Sequence, residues 1–351
     1  MNPFHDYYGI EWYLILLAWS AIALGSHFYQ VGFVVRLIRI GKDDDRFNSW
    51  KQRLTEFLRD WLGQRKVVQD KVAGYAHALI FWGFLLLVSD IVDLGTGGLL
   101  QAFLSNIQLD GIWNLIVDLG YAMATIGILI ALYRRIIIRP AKLKGASIEG
   151  PLILLAILGI VLTAFIVEAG NMIGEETKYN PWEPIGVLFA KQMNGMDHDT
   201  IASMVDISYW LHMVLIGGFL IEIPQTKHSH IIGTIPNVMF QDHDPMGTMI
   251  PLQTNENNEA VKTDDLDFDN LTLGVNKFAD FTWRQLSDGW ACTACARCQD
   301  VCPAYNSGKT LNPMQIVLDV KDYGREHGSL LLTGKDPEET MVDRFTPDAI
   351  W

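Results

Sequence analysis

Five long apolar stretches most strongly limit what this chain of 351 residues can fold into. Each holds about 20 residues or more, the length that an α-helix needs to cross roughly 30 Å of hydrocarbon. Backbone polar groups inside a bilayer must be satisfied within the segment, so such stretches become helices. The sequence therefore predicts an all-α fold that begins with a five-helix transmembrane bundle. The stretches run near 11–35, 72–95, 112–134, 150–169 and 206–225.

Lysine and arginine are unevenly distributed around these stretches. Ten of them lie between Arg36 and Lys71, and five more follow the third stretch, whereas the opposite side has only Lys178 and Lys191. Because basic loops stay in the cytoplasm, we expect a multi-pass protein of the cell (inner) membrane with its N-terminus outside and its C-terminal part cytoplasmic. Membrane lipid is thus a predicted partner. The net charge of −13 argues against nucleic acid.

The segments between and after the spans differ in composition. Residues 46–67 are basic and carry apolar residues at helical spacing, which favours an amphipathic helix on the inner membrane surface; packing on the cytoplasmic domain is the alternative. Residues 241–272 are polar and acidic, which is typical of an extended linker. We therefore expect a membrane domain over 1–240, a linker over 241–272 and a cytoplasmic domain over 273–351.

All four cysteines lie in one short segment: Cys292, Cys295, Cys298 and Cys302, followed by Pro303. The spacing C-x2-C-x2-C-x3-C-P is that of thiolates around a [4Fe–4S] cluster. Zinc is the main alternative, but zinc sites pair two C-x2-4-C knuckles across a longer gap. Disulfides between such close neighbours would be strained. The run predicts an iron–sulfur cluster that transfers electrons in a reducing compartment.

Histidines in or beside the spans are a second candidate site, because an ionisable side chain inside a membrane is costly. His77 and His230 are predicted at equal depth near the cytoplasmic surface, where two imidazoles on facing helices suit the axial positions of haem b. Hydrogen bonding to neighbouring helices without iron is the alternative, and His27 is a substitute ligand. His212 and His230 would share one face if the helix continued past Pro224.

His212 lies towards the outer surface, where span two offers Leu87 and not a second histidine. Spans two, three and four carry Asp90, Asp118 and Glu168 in this outer half. A histidine with carboxylates near one surface suits a quinone pocket, where protons are exchanged as electrons move. Solvation of the carboxylates at the interface is the structural alternative.

Several segments carry a family resemblance. The segments 74-GYAHALIFWGF-84, 209-YWLHMVLIGGFL-220 and 227-KHSHIIGTIPNVMF-240 resemble the haem-bearing gamma subunit of respiratory nitrate reductase and the cytochrome b subunit of membrane heterodisulfide reductase. The segment 279-ADFTWRQLSDGWACTACARCQDVCPAYNSGKTLNP-313 resembles the start of the catalytic iron–sulfur subunit of heterodisulfide reductase. The resemblance implies a membrane (Fe–S)-binding oxidoreductase in which a cytochrome b domain is fused to an α-helical ferredoxin-like domain.

Applied to this sequence, the resemblance implies that His77 and His230 bind the inner haem. His212 matches a histidine that binds a second, outer haem in the nitrate reductase subunit, but its partner position is Leu87 here. One haem is therefore expected, and two remain open. The resemblance also implies a second cysteine run, which the ending 347-PDAIW-351 approaches. The chain is thus expected to be a fragment with only the first half of the ferredoxin domain; closure of all four cysteines around one cluster, or completion by a partner chain, are the alternatives.

These features together predict a membrane-bound electron-transfer oxidoreductase. Electrons would pass between a soluble cytoplasmic donor, the [4Fe–4S] cluster, haem b and the (mena)quinone pool. Electron-transfer flavoprotein or a thiol/disulfide-linked subunit fits the donor. The alternative is a non-catalytic haem and iron–sulfur anchor subunit that docks a separate redox enzyme. The sequence shows no nucleophile–base pair, P-loop or dinucleotide fingerprint, and no catalytic side chain is assigned.

Overall fold

A computed structural model describes residues 10–95, 99–140, 148–173, 178–244 and 275–345. These residues form helices, turns and isolated bridges, with no β-strand among them. The all-α prediction is therefore confirmed for the described ranges. Most of the linker predicted over 241–272 and the ending 347–351 lie outside them.

Fourteen α-helices follow one another in these ranges. They are α1 (Ile10–Ile38), α2 (Trp50–Glu56), α3 (Lys71–Gly95), α4 (Leu99–Asn106), α5 (Asp110–Tyr133), α6 (Glu149–Ile173), α7 (Pro184–Met193), α8 (His198–Glu222), α9 (His230–Met239), α10 (Trp283–Ala291), α11 (Arg297–Asp300), α12 (Pro303–Asn306), α13 (Pro313–Leu331) and α14 (Met341–Arg344). Short 3₁₀ and π turns connect or extend some of them.

Five helical segments are long and apolar enough to cross a membrane: Leu14–Ile38, Lys71–Val88, Asp110–Ile138, Glu149–Ile173 and His198–Glu222. They correspond to the five predicted stretches. Many of their large apolar side chains point outward, as they do when lipid replaces water around a helix. The described residues thus contain the five long apolar helices that were predicted, whereas their orientation in a membrane remains a prediction.

The fifth span departs from its predicted bounds at both ends. It begins at His198 instead of near 206, because Ile201 and Val205 pack into an apolar core with α6 and α7. It ends at Glu222, and a new helix begins at His230. Proline lacks a backbone N–H and disfavours helical geometry in the preceding residue, so Pro224 interrupts the helix here. The shared face suggested for His212 and His230 is therefore wrong.

The chain divides into two compact units. The first comprises the described residues of Met1–His27 and Gly63–Glu222, and the second those of Phe28–Leu62 and Ile223–Trp351. This division places the end of α1 and all of α9 with the cysteine segment. The functional domain bounds given above remain a prediction.

Small residues bring helices close together in the first unit. A Cβ atom built on Gly83 of α3 would lie 2.6 Å from the carbonyl oxygen of Gly120 on α5, and one built on Gly127 would lie 2.6 Å from the carbonyl oxygen of Ala76. Backbones approach this closely in membrane bundles when the interface residues are small. The pair α3 and α5 is thus tightly packed along its length.

An apolar core joins distant parts of the sequence in the second unit. Leu37, at the end of α1, packs with Phe278, Leu286 of α10 and Tyr323 of α13. A Cβ atom built on Gly328 would lie 2.6 Å from the ring of Phe33. The last turns of α1 are therefore an integral part of the unit that carries the cysteines.

Helix α2 presents its apolar side chains outward. Trp50 and Leu54 are exposed, as is Leu58 in the π turn that follows α2, whereas Arg53 is buried. The Arg53 guanidinium donates to the carbonyl oxygens of Asn48, Met239 and Gln241 at 2.7, 3.2 and 2.9 Å. A helix predicted within 46–67 is present, and its outward apolar face is compatible with the predicted placement on lipid.

Candidate metal centre

The four cysteines lie in a compact loop between helices of the second unit. Cys292 directly follows α10, Cys298 lies in α11, and Cys302 precedes α12. Ala294 and Ala296 have positive φ values of 54° and 62°. Non-glycine residues adopt this left-handed conformation at an energetic cost that surrounding structure or a bound group must offset. The chain therefore turns sharply twice within the cysteine segment.

Four thiols in one short segment are a donor set that an iron–sulfur core can use. All four thiols are free, which excludes the disulfide alternative in this structure. Within the described ranges, no three cysteine sulfurs lie within 4.8 Å of one another. Zinc bonds sulfur at about 2.3 Å and would draw tetrahedral ligands closer than that limit. The amide nitrogen of Ala294 lies 3.5 Å from Cys292 Sγ, an orientation that stabilises a bound thiolate.

The loop's electrostatics favour neutral thiols when no metal is bound. Burial raises the pKa of the Cys292 and Cys298 thiols. The ammonium group of Lys321 acts in the opposite direction and lowers the pKa of Cys292. Metal ligation requires thiolates, so binding of iron would release protons at this loop.

His230 lies in the same unit as the cysteines. It is the first residue of α9, and its Nδ1 donates to the carbonyl oxygen of Lys227 at 2.7 Å. This bond keeps the proton on Nδ1, so Nε2 carries the lone pair that a metal would take. The ring of buried His228 lies 6.0 Å from that of His230, centroid to centroid.

A buried polar chain connects the histidine segment with the cysteine loop. Ser229 Oγ donates to the carbonyl oxygen of Trp290 at 3.1 Å, and Lys321 Nζ donates to Ser229 Oγ at 3.2 Å. A Cβ atom built on Gly233 would lie 2.6 Å from the same Trp290 oxygen. Helices α9 and α10 therefore approach each other closely at Gly233 and Trp290, three residues after His230 and two before Cys292.

His77 and His27 both lie in the first unit. His77 Nδ1 lies 3.2 Å from Oε1 of the buried Gln64, and His27 Nδ1 lies 2.8 Å from the carbonyl oxygen of Leu220. Each acceptor keeps the proton on Nδ1. The donor chemistry of both rings fits axial ligation of a haem iron through Nε2.

His212 is anchored to α6. Its Nδ1 lies 2.9 Å from Thr163 Oγ1 and 3.0 Å from the carbonyl oxygen of Ile160. Leu87, which the resemblance pairs with His212, packs in an apolar core with Phe165. A packed leucine offers no metal ligand, so this pair of positions does not fit a second haem with two axial histidines.

Asp118 and Glu168 come together at the start of α7. Asp118 is 1% exposed and accepts hydrogen bonds from the backbone amides of Ile185 at 2.8 Å and Gly186 at 3.0 Å. A Cβ atom built on Gly186 would lie 2.7 Å from Glu168 Oε1. Asp118 therefore satisfies orphan amides at a helix N-terminus. The side chain of Asp90 lies outside the described residues.

The sequence analysis did not identify three polar residues that the structure makes notable. Ser229 and Lys321 form the connection between α9, α10 and α13. Asp206 lies in the fifth span, where its Oδ1 is buried without a hydrogen-bond partner among the described residues. The sequence pattern could have identified Lys321, because this charged residue lies on the apolar stripe of α13 with Val317, Val320 and Gly324.

Long apolar helices together with a C-x2-C-x2-C-x3-C-P loop are typical of membrane iron–sulfur proteins. Sequence comparisons agree with this class. The chain is 29% identical to the probable iron-sulfur-binding oxidoreductase FadF of Bacillus subtilis over 330 residues, which are 92% of this chain and 44% of that protein. It is 28% identical to the EtfAB:quinone oxidoreductase of Syntrophomonas wolfei over 300 residues, 81% of this chain and 39% of that protein.

A third relative matches a shorter segment. The chain is 50% identical over 61 residues to a probable membrane-anchored ferredoxin of Chromohalobacter salexigens, 17% of this chain and 9% of that protein. The chain thus spans less than half the length of each of these three relatives. No family model matches it, and no solved structure does. The similarity is to iron–sulfur oxidoreductases, at moderate identity.

Proposed function

We propose that this chain is the membrane-embedded electron-transfer part of an iron–sulfur oxidoreductase. It passes electrons between a soluble cytoplasmic donor and the quinone pool. When bound, a [4Fe–4S] cluster and a haem b supply the one-electron carriers. The name of the Syntrophomonas relative makes electron-transfer flavoprotein the donor to test first.

The protein's own residues have separate tasks in this proposal. Cys292, Cys295, Cys298 and Cys302 bind iron as thiolates, with any ligand missing for a second cluster supplied from beyond this segment. His77 and His230 are the axial haem ligands, because their predicted depth matches and each Nδ1 donates to an oxygen within its own unit. The apolar helices exclude water from the path of the electrons.

The single observation that best supports this function is the hydrogen bond from Ser229 to the Trp290 carbonyl group. Ser229 immediately precedes His230, and Trp290 is two residues before Cys292. A covalent path interrupted by one 3.1 Å hydrogen bond therefore joins a candidate haem ligand to a candidate cluster ligand. Short bonded connections of this kind are suited to electron transfer between two fixed centres.

Quinone chemistry is assigned to the outer half of the first unit. His212 and Glu168 are the proton-exchanging groups of the proposal, because imidazole and carboxylate can exchange the protons that accompany quinone reduction. Asp118 positions α7 beside Glu168 through its two amide contacts. Replacing His212 by Ala should slow reduction of a quinone analogue, and unchanged reduction would rule out its role.

Spectroscopy of the purified chain in detergent tests the central claim. After anaerobic reconstitution with iron, sulfide and haem, we expect a reduced iron–sulfur signal in paramagnetic resonance and a haem b spectrum in visible light. Cys298→Ser should remove the first signal and retain the second. His230→Ala should do the reverse, whereas loss of neither signal in either variant contradicts the assignments.

A second candidate function is a non-catalytic anchor that docks a separate redox enzyme. It is favoured by apolar exposure at the cysteine loop, where Val301 is 78% exposed and Tyr305 is exposed beside Cys302. Turnover separates the two functions. Reduction of a quinone analogue by the isolated chain with an artificial donor supports the oxidoreductase, and dependence on an added enzyme supports the anchor.

A further inference from the structure

Lys321 is a buried cation close to the cysteine loop. Its side chain is 4% exposed, in the middle of helix α13. A Cβ atom built on Gly289 would lie 2.9 Å from Lys321 Cβ. The lysine therefore packs against α10 at Gly289, three residues before Cys292. Its Nζ reaches Ser229 Oγ at 3.2 Å, and that hydroxyl group contacts the Trp290 carbonyl group. The ammonium group therefore lies beside the last turn of α10.

A lysine is rarely buried unless its charge is paired or hydrogen-bonded, and Lys321 also interacts with the neighbouring carboxylate of Asp322. The last turn of a helix carries negative partial charge, which a cation stabilises. Cys292 is the next residue along the chain from that turn, two residues after the Trp290 carbonyl group that Ser229 contacts. The lysine thus lies in the protein interior close to the first cysteine of the run.

A fixed positive charge has a specific effect on a redox centre. Reduction of an iron–sulfur cluster adds one negative charge to a core that already carries four thiolates. A nearby cation stabilises the reduced form more than the oxidised form, and it does so strongly where protein, not water, lies between the charges. Charge near the sulfurs is one of the factors that set cluster potentials.

We propose that Lys321 sets the reduction potential of the cluster held by Cys292, raising it above the value that the same loop would give without this charge. This inference rests on the proposed function. It adds a residue outside the cysteine and histidine motifs that controls how readily the cluster accepts an electron.

A purely structural role for Lys321 makes a different prediction. If the lysine only fills space and bonds Ser229, a neutral side chain of similar length that still bonds would leave the potential unchanged. Lys321→Gln keeps a hydrogen-bond donor and removes the charge, whereas Lys321→Arg keeps the charge. Lys321→Met removes both and preserves volume, which buried ion sites often tolerate.

The experiment is a redox titration of the full chain in detergent, monitored by paramagnetic resonance after reconstitution with iron and sulfide. We expect Lys321→Gln and Lys321→Met to disfavour cluster reduction about tenfold, which is about 59 mV for a one-electron couple. Lys321→Arg should stay near the wild-type potential. Lys309→Gln is the matched control, because Lys309 is exposed near the loop and its charge is screened.

The outcomes separate this inference from the function on which it rests. A wild-type chain without any cluster signal would overturn both. A wild-type signal with equal potentials in Lys321→Gln, Lys321→Met and the Lys309→Gln control would overturn the role of Lys321 alone. Far-UV circular dichroism identifies a variant that has not folded, and the other neutral variant then decides the result.

Discussion

Ser229 donates its hydroxyl hydrogen bond to the main-chain carbonyl oxygen of Trp290, 61 residues away in the sequence and 3.1 Å away in space. The bond is buried, and Ser229 also accepts from Lys321. Three helices, α9, α10 and α13, therefore meet at one hydroxyl group. Removing this group tests how the histidine and cysteine segments are held together.

Ser229→Ala should lower the free energy of unfolding by about 1–3 kcal/mol, because a buried carbonyl oxygen loses its donor. Ser203→Ala is the matched control, since Ser203 bonds a carbonyl oxygen of its own helix on an exposed surface. That control should change stability by less than about 0.5 kcal/mol. Urea denaturation in detergent, followed by tryptophan fluorescence, measures both. Equal effects in the two variants would contradict the bridging role.

Gly233→Ala should separate α9 from α10. The new methyl group would lie 2.6 Å from a backbone oxygen, which cannot rotate away as a side chain can. We expect a loss of about 1–3 kcal/mol from overpacking, larger than the gain in helix propensity. Gly32→Ala is the control, because nothing lies within 4 Å of its added Cβ. The control should be neutral or stabilising by up to about 1 kcal/mol. A stabilised Gly233→Ala variant would show that this contact is not close.

Asp118→Ala should destabilise the start of α7. Two backbone amides lose their buried acceptor, at a cost of about 1–3 kcal/mol each before relaxation. Asp197→Ala removes an exposed carboxylate that accepts from the Thr200 amide, and should cost less than Asp118→Ala because water can replace it. Thermal unfolding compares the pair. Asp118→Asn should recover part of the loss, because its amide oxygen still accepts one bond; no difference between the Ala and Asn variants would argue against the capping role.

Alkylation of the metal-free chain should distinguish the cysteines. The thiolate reacts, and burial raises the pKa of Cys292 above the ordinary thiol value of 9.0. At pH 7 to 8 Cys292 should therefore react more slowly with iodoacetamide than the exposed Cys295. Raising the pH above 9 should narrow the difference, because more of the Cys292 thiol ionises. Mass spectrometry of peptides measures each site, and equal rates at neutral pH would count against the burial of Cys292.

The raised pKa of the Cys292 thiol also predicts how the stability of the metal-free chain changes with pH. The folded metal-free chain holds the Cys292 proton more tightly than the unfolded chain does, so this contribution to stability is present below the ordinary thiol pKa and is lost as pH rises from there through the raised pKa of the folded state. Bound iron reverses this dependence, because the folded chain then holds Cys292 as a thiolate while the unfolded chain still binds the proton below the ordinary thiol pKa. Loading with iron and sulfide should also protect all four cysteines from alkylation.

Local sequence patterns predicted the elements that depend on composition alone. The five spans follow from apolar length, since no other structure satisfies a backbone in lipid. The cysteine loop follows from spacing within one short segment. The start of α8 was missed because residues 198–205 are mixed in polarity, and their helix depends on Ile201 and Val205 packing against α6 and α7. That packing joins residues far apart in sequence.

The polar contacts that shape the sites were not predictable for the same reason. Asp118 accepts a hydrogen bond from the Gly186 amide, 68 residues away in the sequence, and Lys321 donates one to Ser229, 92 residues away. Neither pair shares a motif. Asp118 was predicted as a proton-exchange residue, and the structure gives its carboxylate two amide partners. The ligand assignments for His77, His212 and His230 remain predictions.

Leu37 at the end of the first span is fully buried against Phe278 and Leu286, which the ribosome adds only near the end of this segment. During synthesis this leucine therefore stays without its native neighbours while four further spans are inserted. A soluble piece cut out at the linker would lack it altogether and would leave an apolar gap beneath the cysteine loop. Biochemical dissection of this protein should accordingly retain the early residues, or supply them as a separate peptide.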